Sequence, residues 1–466
     1  MSRTKLLGTL ASALATLFGA ACGGSSNPSS GTASRGATFY WVDRLPNSND
    51  SRATNRYFLV ASDGSSRGTR LLGEMPPSFD LDFPGNVAAS ERGSLFFWRN
   101  LSGLPKLWTT DGSAPPHMVR AFNEGNTPEM LNHYSMHYST EPLAHFTSLT
   151  ASAGRQLWES DGTLEGTRAI QGVDHLVIQA RAAVSQAGRS FLLNQQPTNQ
   201  DLELISISKA QGIQRAPVPR FWRLGVVYVS VVQWRDTPLI RESAGLWWGA
   251  PDTGRLVFTL PAGDKSLFAN MAVNDDNPAV FFSVVAQSSG TGGWSLWRAD
   301  ATGAALIQSF PRLTTSDKLA ATSGSLFFSY CDPNDAPLPG GSAFLPSCRM
   351  WVNTAAGGSR RVETPSSFDL NSRTVALGRW LLFEQVRAQG LEIWRTDGTQ
   401  EATSGLASGT FETSGVAGGR VVFAEQARGA DGRYWSSDGT PDGTWRLPRA
   451  CPRPLPSTAT LALCLE

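Results

Sequence analysis

One short pattern returns along this chain at nearly even spacing, and it constrains the fold more than any other feature. Its fullest copies are Gln156-Leu-Trp-Glu-Ser-Asp-Gly-Thr163 with Glu165-Gly-Thr167, and Glu392-Ile-Trp-Arg-Thr-Asp-Gly-Thr399. Tyr434-Trp-Ser-Ser-Asp-Gly-Thr440, Lys106-Leu-Trp-Thr-Thr-Asp-Gly-Ser113 and Phe58-Leu-Val-Ala-Ser-Asp-Gly-Ser65 continue the series. Gly245-Leu-Trp247, Ser295-Leu-Trp297 and Arg349-Met-Trp351 keep only its centre, and Leu204-Ile205 is a decayed copy. Aligned on the Trp column, the copies fall at 60, 108, 158, 205, 247, 297, 351, 394 and 435, in steps of 41 to 54 residues. A period of this size marks a repeat architecture, in which each unit buries its faces against its neighbours.

Ahead of each copy stands a second signature, an apolar run often introduced by Gly. Examples are Gly93-Ser-Leu-Phe-Phe97, Gly324-Ser-Leu-Phe-Phe328 and Gly419-Arg-Val-Val-Phe423. Paired apolar neighbours break the alternation of a strand with one wet face and suit a strand covered on both faces. Asp-Gly between two such runs is a hairpin signal, because Gly accepts positive φ and Asp closes an Asx turn. Further short runs before and after give four antiparallel strands per unit, with no helical period. The expected fold is all-β: a single closed β-propeller of eight or nine four-stranded blades, with a β-solenoid as the rival. The decayed unit at 183–217 leaves eight and nine both open. Trp108, Trp158, Trp247, Trp297, Trp351, Trp394 and Trp435 are expected to pack between blades. Asp63, Asp111, Asp161, Asp397 and Asp438 are expected to shape turns, since one carboxylate per blade at a fixed turn is structural. The first unit lacks its first strand, and the strand-like segment at 458–465 is expected to complete it and cover an aggregation-prone edge.

At these residues the chain resembles the ELWxxDGT-repeat family of exported bacterial proteins, over about residues 37–447. The resemblance implies a propeller-like architecture and an envelope location, and it implies no particular reaction. Units four to seven depart from the motif. Within them, Ser295-Leu-Trp-Arg-Ala-Asp-Ala-Thr-Gly303 resembles the turns of quinoprotein-like propellers.

Residues 1–21 read as a signal peptide. Arg3 and Lys5 supply positive charge, and Leu6 to Phe18 is apolar but too short to span a bilayer as a stable helix. Leu17-Phe18-Gly19-Ala20-Ala21-Cys22 resembles a bacterial lipobox, with Gly19 in place of the usual Leu. Cys22 is therefore the expected lipid attachment site, and a membrane the expected first partner; an unlipidated chain would be secreted. Residues 22–36 form a Gly/Ser-rich tether with little to bury, and 37–466 form the body. Of five cysteines, setting Cys22 aside leaves Cys331, Cys348, Cys451 and Cys464, enough for two disulfides in an oxidising compartment. The expected pairs are Cys331 with Cys348, stapling a Pro/Gly-rich insertion, and Cys451 with Cys464, pinning the tail.

The net charge of +1 lacks the basic surplus of a nucleic-acid binder. His133 and His137 are spaced for a metal pair only on a helix. On a strand four residues span about 13 Å, too far for one ion. Ser289-Gly-Thr-Gly-Gly293 has no helix after it to cradle phosphate. No catalytic residue, metal site or cofactor motif stands out. The expected function is a cell-envelope lipoprotein whose propeller binds or scaffolds a protein or glycan. The alternative is a propeller enzyme (lyase, hydrolase or quinoprotein-like oxidoreductase) with its site in the central funnel.

Overall fold

The computed structural model describes the chain from residue 39 to 464, apart from 46–55, 77–86, 100–104, 131–142, 174–182, 196–201, 218–229, 261–266, 286–292, 311–317, 332–347, 426–432, 452–461 and shorter breaks of at most four residues. The described residues hold 37 strands, every pairing among them is antiparallel, and they contain no helix.

The strands fall into nine consecutive sheets and a final pair. Sheet one covers 39–75, two 87–121, three 127–169, four 183–217 and five 230–259. Sheet six covers 267–310, seven 319–362, eight 374–408 and nine 410–446. Sheets two to nine have four strands, here called a to d in chain order; sheet one has three, equivalent to b, c and d. The decayed unit at 183–217 is a full four-stranded sheet. Every position of the Trp column lies on a strand c.

The Leu-Trp dipeptide persists because its two residues serve two different interfaces. Successive side chains on a strand point to opposite faces. Leu107 packs between sheets two and three, while Trp108 packs back on sheet one. Leu296 faces sheet seven and Trp297 faces sheet five. Ile393 faces sheet nine and Trp394 sheet seven. Trp247 stands on the opposite face from Leu246 and Trp248, and it is those two that fill the core between sheets five and six.

Sequence reasoning missed the partner of the Trp. On strand b, Phe96, Phe146, Phe282, Phe328, Phe383 and Phe423 stand opposite Trp108, Trp158, Trp297, Trp351, Trp394 and Trp435. Each of these Phe rings is at most 1% exposed. Several pairs stack, with Phe282 and Trp297 at 6.2 Å and 10°. Such a pair contributes about 0.5–1.5 kcal/mol beyond its area burial. Sheet one inverts the arrangement: Trp41 is on strand b and Val60 opposite it on strand c. The same space is filled from the other side.

Sheet nine also packs on sheet one. Val422, Ala424, Tyr434 and Leu447 share a buried cluster with Phe39, Trp41 and Val60. Tyr434 and Trp435 follow the Leu-Trp rule, Tyr434 facing sheet one and Trp435 sheet eight.

The C-terminal segment departs from expectation. Ala462–Cys464 does not join sheet one; it pairs with Arg449–Cys451. Arg449–Cys451 lies beside Phe39–Leu45, the first strand of sheet one. Strand d of sheet nine runs almost directly into it, as strand d of sheet eight runs into strand a of sheet nine. Chain continuity thus sets Arg449–Cys451 beside Phe39–Leu45, and Ala462–Cys464 lies beside Arg70–Met75 without joining the sheet.

Candidate functional site

Antiparallel order gives each sheet two unlike ends. The a–b and c–d links leave from one, the turn end. The b–c links and the passages from d to the next a leave from the other, the loop end.

The turn end is built from short links closed by their own hydrogen bonds. In sheet three the Asp161 carboxylate accepts the Thr163 N–H at 2.9 Å and its hydroxyl at 2.7 Å. The Thr163 hydroxyl accepts the Gly166 N–H, and the Thr167 hydroxyl donates to the Thr163 carbonyl. The Ser160 hydroxyl lies 2.7 Å from the Thr167 hydroxyl and accepts the Gly162 N–H. The same set recurs around Asp63, Asp397 and Asp438, with Ala402 replacing the second Gly in sheet eight. Asp111 has a shortened version, with Ser113 and Ala114 as donors. The N–H and hydroxyl of Ser113 hold the Asp111 carboxyl below the usual range. The second Gly has a steric reason: a β-carbon on Gly166 would stand 2.0 Å from the Asp161 carboxylate, and Gly443 meets Asp438 in the same way. Each of these Asp residues is occupied within its own turn.

Asp300 of sheet six, at the motif's Asp position but followed by Ala301, makes a shorter turn with Thr302. Hydrogen bonds also link the turn end around the sheets. The Trp234 indole N–H donates to the Asn274 carbonyl, and the Asn274 and Asn277 amides donate to the carbonyls of Ala321 and Thr322. The Ser323 N–H donates to the Gly378 carbonyl.

The loop end is where chain length varies. Its b–c links run from two residues at 243–244 to sixteen at 332–347. Passages from d to a reach eleven residues at 76–86, twelve at 218–229 and thirteen at 170–182. By contrast five of the eight a–b links at the turn end are two residues long and one is three, with 273–279 and 131–143 the longer exceptions. The 332–347 link is stapled by the Cys331–Cys348 disulfide, whose cysteines stand directly opposite on strands b and c. Cys451 and Cys464 lie on the paired final strands in offset register, Cys451 opposite Ala462 and Cys464 opposite Arg449. Their side chains lie outside the described residues, as do Cys22, Ser289, His133, His137 and His175.

Several charged residues at the rim of the loop end are paired among the described residues. Arg56 bonds Glu74 through two contacts, at 2.8 and 2.6 Å. Arg446 meets Glu425 at 2.6 Å, and Arg361 meets Glu363 at 2.9 Å. Buried Glu203 accepts from Asn194 at 2.8 Å and Arg215 at 3.1 Å. Nearer the core, Glu384 accepts the Thr410 hydroxyl at 2.7 Å and the Phe411 N–H at 2.6 Å, tying sheet eight to the start of sheet nine. Gln385 accepts the N–H and hydroxyl of Ser366.

Two histidines are among the described residues. His117 is exposed on strand d of sheet two. His145 is buried opposite Glu159, and burial pushes its pKa down to about 4 against the pull of that carboxylate. Among the described residues no three His, Cys, Asp or Glu side chains gather to hold a metal ion. The eight strands a carry mostly small and apolar residues, with Glu129 and Glu412 their only charged positions.

No family model and no curated protein matches the chain. Among solved structures it is similar to one described as a eukaryotic initiation factor, at 12% identity over 76% of this chain and 86% of that one, TM-score 0.46. An oligogalacturonate lyase in complex with manganese gives 11% identity, 65% and 83% coverage and TM-score 0.40. The β-propeller domain of a trilobed protease from Pyrococcus furiosus gives 8%, 69% and 96%, and 0.34. With TM-scores this low, none of these likenesses bears on chemistry.

Proposed function

We propose that this chain is an exported, lipid-anchored envelope protein whose nine sheets close into one β-propeller, and that its loop end binds a protein or polysaccharide partner. The observation that carries the binding reading is the asymmetry of the two ends. Apart from 131–143 and 273–279, the turn end is short, repetitive and internally hydrogen-bonded, while the loop end holds most of the long, unequal links and the disulfide. Binding residues concentrate on variable loops held by a rigid scaffold. Closure draws support from the cluster joining sheets nine and one, which follows the same Leu-Trp rule as the other interfaces. The small and apolar make-up of strands a supports binding over acid–base catalysis in a central funnel.

The anchor draws its support from the sequence around Cys22. Fatty-acid labelling of the expressed chain should mark the wild type and not Cys22→Ser, which should leave the membrane fraction. Labelling that persists in that variant contradicts the anchor. Binding is tested by pull-down from membranes in mild detergent. A variant with 332–347 replaced by a short Gly-Ser turn, together with Cys331→Ser and Cys348→Ser, should lose the partner while staying folded. Recovery of no partner by the wild type, or equal recovery by both, contradicts the loop-end assignment.

A further inference from the structure

The five motif turns with Asp-Gly lie far apart in the chain, on sheets one, two and three and on sheets eight and nine. In packing order they are consecutive, because sheet nine lies on sheet one. They form one arc, eight-nine-one-two-three, with the meeting of the chain's two ends inside it.

Within this arc each turn receives the preceding sheet. A β-carbon on Gly398 would stand 3.0 Å from Val352 of sheet seven. One on Gly439 would stand 2.7 Å from Trp380 of sheet eight, and one on Gly64 would stand 3.1 Å from the Arg420 Cδ of sheet nine. Trp380 and Arg420 hold the same repeat position, three residues before Phe383 and Phe423. The contact between sheets nine and one is therefore the contact between sheets eight and nine, repeated. Arginine adds a second tie. Arg395 of sheet eight donates to the Gly439 carbonyl at 2.9 Å, and Arg120 of sheet two to the Thr167 carbonyl at 2.9 Å. Arg70 of sheet one donates to the Gly112 carbonyl.

Arg420 is held in place before it meets Gly64. Its guanidinium donates to the Ser436 hydroxyl at 2.8 Å and the Gly443 carbonyl at 2.6 Å, and lies 3.8 Å from the Trp445 ring centre. Asp438 is 3.9 Å away, and the charge of Asp63 also reaches it.

We infer that the Asp-Gly motif turn is a closure clasp: the intact copies brace the one interface that no covalent link spans, and Arg420 against Gly64 is its central contact. Every other pair of neighbouring sheets is kept adjacent by the chain itself. Sheets one and nine are joined through the whole length of the chain, and closing so long a loop carries an entropic cost that packing must offset. Sheets four to seven, away from the meeting point, use shorter or different turns. The inference rests on the closed-ring reading proposed above, and it predicts that the ring opens first between sheets nine and one.

Hydrogen exchange followed by mass spectrometry tests this on three single variants. Gly64→Val adds bulk facing Arg420. Gly358→Val carries the same left-handed backbone (φ 65° against 88°) but meets nothing within 4 Å, so it controls for strain. Arg420→Ala removes the clasp without backbone strain and serves if Gly64→Val fails to fold. The expected result is exchange at least tenfold faster in 39–45 and 434–437 for Gly64→Val or Arg420→Ala, with 280–300 unchanged and Gly358→Val like the wild type there. Equal effects of Gly64→Val and Gly358→Val, no effect of Arg420→Ala, or uniform acceleration in all sheets would overturn the clasp. The closed ring itself fails separately, if wild-type 39–45 and 434–437 already exchange as freely as an unpacked edge.

Discussion

Trp41 and Tyr434 lie ring against ring, 5.0 Å between centres and tilted by 34°, though they come from the first and last sheets of the chain. Trp41 is 1% exposed and Tyr434 4%. Trp41→Ala should therefore destabilise the fold by about 3–5 kcal/mol, the usual cost of truncating a buried large aromatic. A double-mutant cycle with Tyr434→Ala, read by denaturant unfolding, should give a coupling of roughly 1 kcal/mol. Strict additivity would mean that the two rings do not share an interface in solution.

The turn geometry makes a second claim about coupled residues. Gly166→Ala sets a β-carbon against the Asp161 carboxylate. This variant should be destabilised by more than 1 kcal/mol, and Asp161→Ala should cost about 0.5–2 kcal/mol by removing the acceptor. The double variant should cost clearly less than the sum, because the clash disappears with the carboxylate. A sum equal to the parts would refute the steric role given to the second Gly.

His145 gives stability a defined pH dependence. The unfolded imidazole takes up a proton near pH 6.5, while the folded one stays neutral until about pH 4. Stability contributed by the neutral folded form is thus complete above pH 6.5 and lost as pH falls toward 4, by roughly 3 kcal/mol in full. Below that point Asp111 and Asp300, held ionised mainly by hydrogen bonds within their turns, add their own loss, and so does Asp438, where burial pushes the pKa up but the Thr440 hydrogen bonds and the Arg420 charge together outweigh it. Denaturant midpoints at pH 7, 5.5 and 4.5 should fall steadily for the wild type. In His145→Gln they should stay flat down to about pH 4.5; an unchanged slope would show that another group titrates.

Reduction of the Cys331–Cys348 disulfide should cost about 3 kcal/mol, given the loop it closes. Cys331→Ser with Cys348→Ser should reproduce that loss. A melting curve indifferent to reductant would place the stability of sheet seven in its aromatic packing alone.

The strands c were legible in the sequence because an apolar residue followed by Trp serves two interfaces at once and so survives where the Asp-Gly turn has gone, as at Leu296-Trp297 and Met350-Trp351. The Phe opposite six of the seven Trp was not legible as a pair, since cross-strand register is a long-range property. At Val60 the column was placed on the right strand, but the move of the Trp across to Trp41 was hidden for the same reason. The terminal strand was misplaced because composition identifies a strand and says nothing about its partner. The loop end was visible only as unequal spacing. Beyond the cysteines that flank 332–347, no residue type marks it, because a loop surface has no periodicity to betray it.

The central claim is that the ring is closed, and one distance measurement tests it. Arg67, Glu401 and Asp442 are exposed and occupy the same position of the motif turn on sheets one, eight and nine. Spin labels placed pairwise at these sites, with the disulfides oxidised and Cys22 removed, provide an internal ruler. The 401–442 pair reports two sheets that are neighbours in the chain, and the 67–442 pair reports the first sheet and the last. The account predicts that the two distance distributions superimpose. A 67–442 distribution that is longer and broader than the 401–442 reference would contradict it.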